Sequence, residues 1–375
     1  LGMLIGVDAS RANKQQRTGV VWYSYHILRE LAALPQAAEH RWRAYTPTPL
    51  LEDMRAAIPL WEERRLAWPP KYLWTQLRLS YELYRHEPGL LFVPAHVLPR
   101  IRPRKTCVTV HDIGFHRMPE LYKPIQVAYH EIATRDIVRS NAKILTVSEF
   151  SKQEIMDAYH VSAERIHVTP LGVEEEYQPQ SLAEQARVRE RHALGDRPFV
   201  LYIGRLEEKK NIHRLVEAFL LMAEQRSEVL CVLAGPRGRG WENIRELLRK
   251  HPQGKRVRVA GYVDERDKRA LLSAAQCYVQ PSLYEGFGLP ILEAMACGTL
   301  VVSSSAGSLP EVGGSCVAEY VDPRAASSIA RGMERAFAYS DAERNRLIQQ
   351  GRAHAATFTW KKTAEQTMTA FMSYV

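Results

Sequence analysis

The chain has 375 residues, 46% hydrophobic and 25% charged, enough to bury the cores of two ordinary domains. No stretch is long and apolar enough to span a bilayer, and the five cysteines form neither a CxxC nor a metal-ligand spacing with His, which excludes a disulfide framework or a zinc finger. The formal charge of +9 points to an anionic partner, with nucleotide phosphates, nucleic acid and an anionic membrane as the three classes to separate.

Met3, the expected initiator behind Leu1 and Gly2, opens directly on an apolar run with no basic leader or cleavage site, so the expectation is a cytoplasmic chain. Runs at Met3–Asp8, Trp42–Tyr45, Leu90–Val93, Thr106–Val110, Ile144–Val147 and Ile166–Thr169 read as strands. Helical patterns lie between several of them, at Trp22–Leu34 and Tyr122–Ser140. Such alternation predicts a parallel sheet covered by helices. A polar, charge-rich segment, Glu174 to Asp196, interrupts the pattern. It resumes with Phe199–Ile203, Val229–Leu233, Val257–Val259, Cys277–Gln280 and Leu300–Ser303.

The expected architecture is α/β, with two doubly wound, Rossmann-like domains facing across a cleft and ligands at the carboxyl ends of the strands. We expect a first domain over 1–175, a linker over 176–196, a second domain over 197–355 and a C-terminal helix over 356–375. The region Trp68 to Leu91 carries Lys71, Tyr72, Trp74, Arg78, Tyr81, Tyr84 and Arg85 at helical spacing. It reads as an amphipathic surface helix or as a face for an anionic membrane. The basic run Arg100 to Lys105 reads as a solvated loop.

Two clusters carry chemistry. In Tyr202-Ile-Gly-Arg-Leu-Glu-Glu-Lys-Lys-Asn-Ile212 a strand ends at Gly204, and Arg205, Lys209 and Lys210 crowd the start of a new helix. Cations there oppose the helix dipole, an arrangement that makes sense if an anion binds between them. In Pro281-Ser-Leu-Tyr-Glu-Gly-Phe-Gly-Leu-Pro-Ile-Leu-Glu293, Gly286 and Gly288 free backbone N–H groups at a helix start, and Pro290 suits its first turn. Glu285 and Glu293 flank that turn, and carboxylates accept hydrogen bonds from the vicinal hydroxyls of a sugar or ribose. Gly235-Pro-Arg-Gly-Arg-Gly240 lacks the GxGxxG spacing and reads as a loop, with Arg237 and Arg239 as possible anion contacts. No Asp-x-Asp occurs, so the two cations can neutralise a diphosphate without a metal.

On these residues the chain resembles the retaining glycosyltransferases of family 4, with GT-B architecture. The matches are Gly204-Arg205 with Lys210-Asn211, Glu285-Gly-Phe-Gly-Leu-Pro290 with Glu293-Ala294, and Leu309-Pro-Glu311. Looser ones fall at Thr18-Gly-Val20, Val110-His-Asp112, Thr146-Val-Ser-Glu149 and Thr169-Pro-Leu-Gly172. The resemblance implies that Arg205 and Lys210, with Gly19 and the backbone of Gly286, Phe287 and Gly288, bind the donor diphosphate. It implies that Glu285 holds the transferred sugar, that Glu293 holds the ribose, and that backbone at Tyr262 and Val263 meets the base. It further implies that 1–175 is the acceptor-side domain, that 197–355 binds the donor, and that the helix over 356–375 crosses back to the first domain. His111 and Asp112, at a strand end, would take catalytic roles; His116 is ambiguous.

The implied reaction moves a hexose from a nucleotide-diphosphate sugar to a hydroxyl of a glycan or lipid-linked acceptor in surface polysaccharide or glycolipid assembly. The anomeric configuration is retained and no cofactor or metal is used. The stretch His111-Asp112-Ile113 is similar to that of mannosyltransferases and favours GDP-mannose, with UDP-sugars open. A GT-B sugar-nucleotide epimerase and a basic nucleic-acid-binding protein are the rival readings; the Glu pair counts against the second, because carboxylates repel a phosphate backbone. Peripheral contact with an anionic membrane is a further expected partnership.

Overall fold

The computed structural model describes residues 2–17, 19–70 and 72–374. Thr18 and Lys71, named above, lie outside them. The chain divides into two compact units, Leu1–Gly172 with Thr359–Val375, and Val173–Phe358.

The first unit holds seven parallel strands: β1 (Leu4–Asp8), β2 (Arg41–Thr46), β3 (Glu62–Arg65), β4 (Leu90–Val93), β5 (Thr106–Thr109), β6 (Lys143–Thr146) and β7 (Ile166–Val168). Their order in the sheet is β3-β2-β1-β4-β5-β6-β7. Strands β4 and β5 are buried along their whole length, as interior strands covered on both faces must be. β3 was not expected: its sequence, Glu-Glu-Arg-Arg, has no apolar signal and is tolerated because it pairs only with β2 at the sheet edge. The helix Trp360–Met372 packs with this unit, placing Trp360, Ala364, Met368 and Phe371 in the same core as Ile5, Val7, Ile27 and Leu31.

The second unit holds β8 (Phe199–Ile203), β9 (Leu230–Ala234), β10 (Val257–Gly261), β11 (Cys277–Gln280), β12 (Leu300–Ser304) and β13 (Glu319–Val321), ordered β10-β9-β8-β11-β12-β13 and all parallel. In each sheet the strand order reverses once, between β1 and β4 in the first and between β8 and β11 in the second. Sheets of this kind bind ligands at that reversal, beyond the carboxyl ends of the strands.

The expected linker over 176–196 is corrected. This segment belongs to the second unit, and its helix Leu182–Arg191 is tied to the helix Glu265–Ala274 by Arg187–Asp267 at 2.9 Å and Arg266–Glu184 at 2.6 Å. A charge-rich stretch reads as a solvated linker when its partners lie some eighty residues away in sequence. The expected helix around Trp68–Leu91 also breaks up. Leu73 adopts a left-handed φ of 65°, a wide π-helical turn runs Trp74–Leu79, and regular α-helix covers only Ser80–Arg85. All five cysteines are free.

Candidate functional site

In the second unit the strand reversal brings the two sequence clusters together. β8 and β11 are hydrogen-bonded neighbours, so the loop leaving β8 at Gly204 lies beside the loop leaving β11 at Pro281. Two bonds lock them, and a third ties Asn211 to the segment after β13. Asn211, buried and held at a left-handed φ of 59°, donates from its side-chain amide to the carbonyl of Pro281 at 2.9 Å and to that of Pro323 at 2.6 Å. The backbone N–H of Leu283 donates to the carbonyl of Lys209 at 3.2 Å.

Glu285 is buried in this junction. Its Oε1 accepts from Lys210 Nζ at 2.7 Å, Ser282 Oγ at 2.7 Å and Gln280 Nε2 at 2.8 Å. Burial alone would raise this carboxyl, but the charges of Lys210 and Lys209 and these hydrogen bonds outweigh it and hold it below the usual range. Its backbone is equally fixed. Ser308 donates to the Glu285 carbonyl through both N–H and hydroxyl, each at 3.1 Å, and a Cβ on Gly307 would stand 2.7 Å from that carbonyl.

Gly286, buried Phe287 and Gly288 complete the turn into the helix Leu289–Ala296. Gly288 has a left-handed φ of 92° and room for no Cβ, since Leu309 Cδ2 would lie 2.3 Å from it. Arg205 extends into solvent with its side chain 61% exposed and Glu207 3.9 Å away, so it is a cation open to an external anion. Lys210 is instead drawn inward by Glu285.

Glu293 sits one turn inside the helix, and its surroundings hold a residue the sequence did not single out. Lys268, from the helix Glu265–Ala274, donates to Glu293 Oε1 at 2.8 Å. It also lies 3.8 Å from Glu265 and 5.0 Å from the ring centre of Tyr177, whose hydroxyl donates to Glu265 at 2.5 Å. Burial, helped by the Glu265 charge, pushes the Glu293 carboxyl upward against the pull of Lys268. The two acids in turn outweigh burial and keep Lys268 charged. In sequence Lys268 is one cation among several on a charged helix, with nothing to mark it.

Val263 is buried and Tyr262 is 76% exposed, just after β10, and the backbone N–H of Gly235 donates to the carbonyl of Gly261 at 2.6 Å. Of the two arginines considered for anion binding, Arg239 pairs with Glu208 at 3.0 Å and Arg237 lies over the Trp241 ring at 4.8 Å, so both are occupied within the protein.

In the first unit, His111 and Asp112 follow β5. His111 meets Tyr23 edge-on at 4.5 Å, and its backbone carbonyl accepts from Ser151 Oγ at 3.1 Å. Its Nε2 is shut off from solvent with no hydrogen-bond partner among the described residues. Burial depresses its pKa to about 4, against a smaller opposing pull from Asp112, so the ring is neutral near pH 7. Asp112 accepts from the backbone N–H of Gly114 at 2.8 Å. Gly19 begins the helix Val20–Ala33 with φ 44°, open to solvent and clear of any neighbour where a Cβ would stand. His116 is taken up by Glu131 at 2.5 Å. Among the described residues no cluster of three or more His, Cys, Asp or Glu could hold a metal ion, and no helix is long and apolar enough to cross a membrane.

Known proteins share both the sequence and the fold. Residues 17–177 match the family described as Glycosyltransferase Family 4, and residues 184–354 match Glycosyl transferases group 1. The chain is 36% identical to the O-antigen chain mannosyltransferase B of Escherichia coli over 325 residues, 86% of this chain and 82% of that one. It is 32% identical to the MMP alpha-(1->4)-mannosyltransferase of Mycolicibacterium hassiacum, over 63% of this chain and 55% of the relative. Among solved structures, sucrose-phosphate synthase from Thermosynechococcus elongatus superposes with a TM-score of 0.76 at 21% identity, covering 99% of both chains. WaaG, a glycosyltransferase involved in lipopolysaccharide biosynthesis, gives 0.75 at 14% identity, over 97% of this chain and 98% of that one. The epimerase and nucleic-acid readings gain no support from these likenesses. Two parallel-sheet α/β domains, the paired glutamates at a strand reversal and the relatives agree: the chain belongs to the group 1, family 4 glycosyltransferases.

Proposed function

We propose that the second unit binds the nucleotide-sugar donor and that a hexose leaves it with retained configuration for a hydroxyl on a glycan or lipid-linked acceptor of surface polysaccharide or glycolipid assembly. GDP-mannose is the first donor to test, because the O-antigen and MMP relatives are named as mannosyltransferases. UDP-sugars stand second: the Anabaena protein HepE, alike in fold at 18% identity, was solved with UDP and glucose.

The observation that carries this reading is the Lys210–Glu285 pair beside the exposed Arg205, at the reversal between β8 and β11. Arg205 gives the donor diphosphate forked hydrogen bonds. Lys210 reaches the phosphates while its bond to Glu285 fixes the carboxylate that holds the sugar hydroxyls. Both cations stabilise negative charge as the diphosphate departs, while the acceptor hydroxyl approaches on the same face and gives its proton to the leaving phosphate. The backbone of Gly286 to Gly288 completes the phosphate site of the second unit, Glu293 takes the ribose and the backbone at Tyr262 and Val263 meets the base. In the first unit, Gly19 serves the donor phosphates and His111 with Asp112 the transfer step.

Titration calorimetry with GDP and UDP, in EDTA, tests the phosphate assignment. Arg205→Ala and Lys210→Ala should each weaken nucleotide binding roughly tenfold or more, the cost of a lost charge-assisted contact. Wild-type binding should be indifferent to the chelator. Unchanged affinity in both variants would remove the assignment, and binding that returns only with Mg²⁺ or Mn²⁺ would remove the metal-free reading.

The exposed face formed by Tyr72, Leu73, Leu77, Tyr81 and Tyr84, with Arg78 24% exposed beside it, supports a cytoplasmic chain resting on an anionic membrane. Co-sedimentation with anionic but not neutral vesicles checks it.

A further inference from the structure

Glu293 is the one acid of the donor site whose charge is opposed by its surroundings. It lies on the helix Leu289–Ala296, buried among Lys268 and Glu265 from a neighbouring helix, Tyr177 and Glu174 from the segment that opens the second unit, Tyr278 of β11 and Cys297 at its own helix end. Lys268 alone among these is a cation in contact with it, at 2.8 Å on Oε1. The other carboxylate oxygen, Oε2, is buried and makes no close hydrogen bond among the described residues, the nearby Tyr177 hydroxyl being given to Glu265. A buried acceptor left unsatisfied is costly, so a hydroxyl arriving there satisfies a group the fold leaves waiting.

Resting on the reading of Glu293 as the ribose-binding acid, we propose that Lys268 is its positioning residue: it holds Oε1 in place and keeps the carboxylate ionised, so that Oε2 is presented to one ribose hydroxyl. Lys268 is well placed for this. Glu265 anchors its other side at 3.8 Å, Tyr177 lies under the ammonium with its ring centre at 5.0 Å, and the Tyr177 hydroxyl holds Glu265 in turn at 2.5 Å. The lysine is thus gripped from two directions and cannot follow solvent away from Glu293. Its effect on the nucleotide passes through Glu293, because the ribose hydroxyl is the donor and needs an ionised acceptor.

The sign of the pH dependence follows. Remove the ammonium, and burial together with Glu265 drives the Glu293 carboxyl further up. Nucleotide binding that requires the ionised acid is then lost as pH falls through that raised value. With Lys268 present, the same loss is displaced to more acid pH.

Calorimetry of GDP and UDP with the full chain between pH 5.5 and 8.5, on Lys268→Met, Glu293→Gln and the double variant, is the test, using whichever nucleotide the wild type binds. Lys268→Met should bind more weakly than wild type, with the deficit growing as pH falls through the raised value and levelling off at the roughly tenfold loss of Glu293→Gln. Lys268→Arg should restore most of the affinity and the flat profile. On the Glu293→Gln background, Lys268→Met should add nothing, since two residues acting through one contact are not additive. If Lys268→Met weakens binding as much on that background as alone, Lys268 touches the ligand itself and the positioning role is wrong. A flat profile at wild-type affinity in Lys268→Met also overturns it. Should that variant fail to fold, Lys268→Gln, which keeps a donor without the charge, is read in the same way. Nucleotide affinity unchanged in Glu293→Gln would instead overturn the ribose reading on which this rests, a separate failure.

Discussion

The two glutamates of the second unit are eight positions apart in sequence, both buried, and electrostatically opposite. Glu285 lies in the loop after β11, where Lys210, Ser282 and Gln280 all donate to one of its oxygens and two lysine charges overcome the cost of burial. Glu293 lies inside the following helix with one lysine on one oxygen, an acid nearby and an unsatisfied second oxygen, so burial prevails. The first is a carboxylate fixed before any ligand arrives. The second is an acceptor whose hydrogen bonding is incomplete until a donor reaches it. Preorganised charge suits contacts that matter most as charge develops in a reaction, whereas an unfilled acceptor suits ground-state binding.

That contrast breaks or stands on kinetics. Glu285→Gln should lower kcat on the order of 10²–10³-fold, because it removes a preorganised charge from the reacting sugar. Glu293→Gln should leave kcat near wild type and raise the nucleotide Kd roughly tenfold, the scale of one hydrogen bond to a charged group. Steady-state kinetics with matched nucleotide titrations would separate them, and identical profiles for the two variants would erase the distinction.

A smaller effect is expected in the first unit, where His111 offers a third kind of buried group, one kept neutral. His111→Ala should lower kcat roughly tenfold to a hundredfold with less effect on nucleotide affinity. Stability adds a second reading. Burial depresses His111 to about 4 and His96 to about 3, both below the ~6.5 of a free imidazole. As pH falls from about 6.5 toward 4, the unfolded chain therefore takes up protons that the folded chain refuses, so Tm should drop across that window. His111→Ala should make the drop shallower. If the variant melts early at neutral pH and its folded fraction turns over normally, His111 is a structural core residue.

How much of this was legible depends on where each residue sits. The interior strands announced themselves because a strand covered on both faces must be apolar throughout, as Leu90–Val93 and Phe199–Ile203 are. The two strands that escaped notice, Glu62–Arg65 and Glu319–Val321, are edge strands that need pair on only one side, so their side chains carry no such signal. The cations of the β8 loop and the glutamates that follow β11 were visible as separate motifs. Their adjacency was implied by the family resemblance and not by the residues themselves, because it depends on β8 pairing with β11 across more than seventy residues.

The amino-acid sequence by itself determined the class of fold, the Gly-rich turn into the Pro290 helix and the residue types suited to a phosphate and to sugar hydroxyls, since these rest on local periodicity and local backbone freedom. Only the tertiary structure decided which charges are used internally and which face outward. Arg237 and Arg239 are spent on Trp241 and Glu208, Arg205 is left open, the segment 176–196 is bound into the second unit, and Lys268 is set against Glu293. The physical reason is that a charge's role depends on its desolvation and on its nearest opposite charge, and both are fixed by residues distant in the chain.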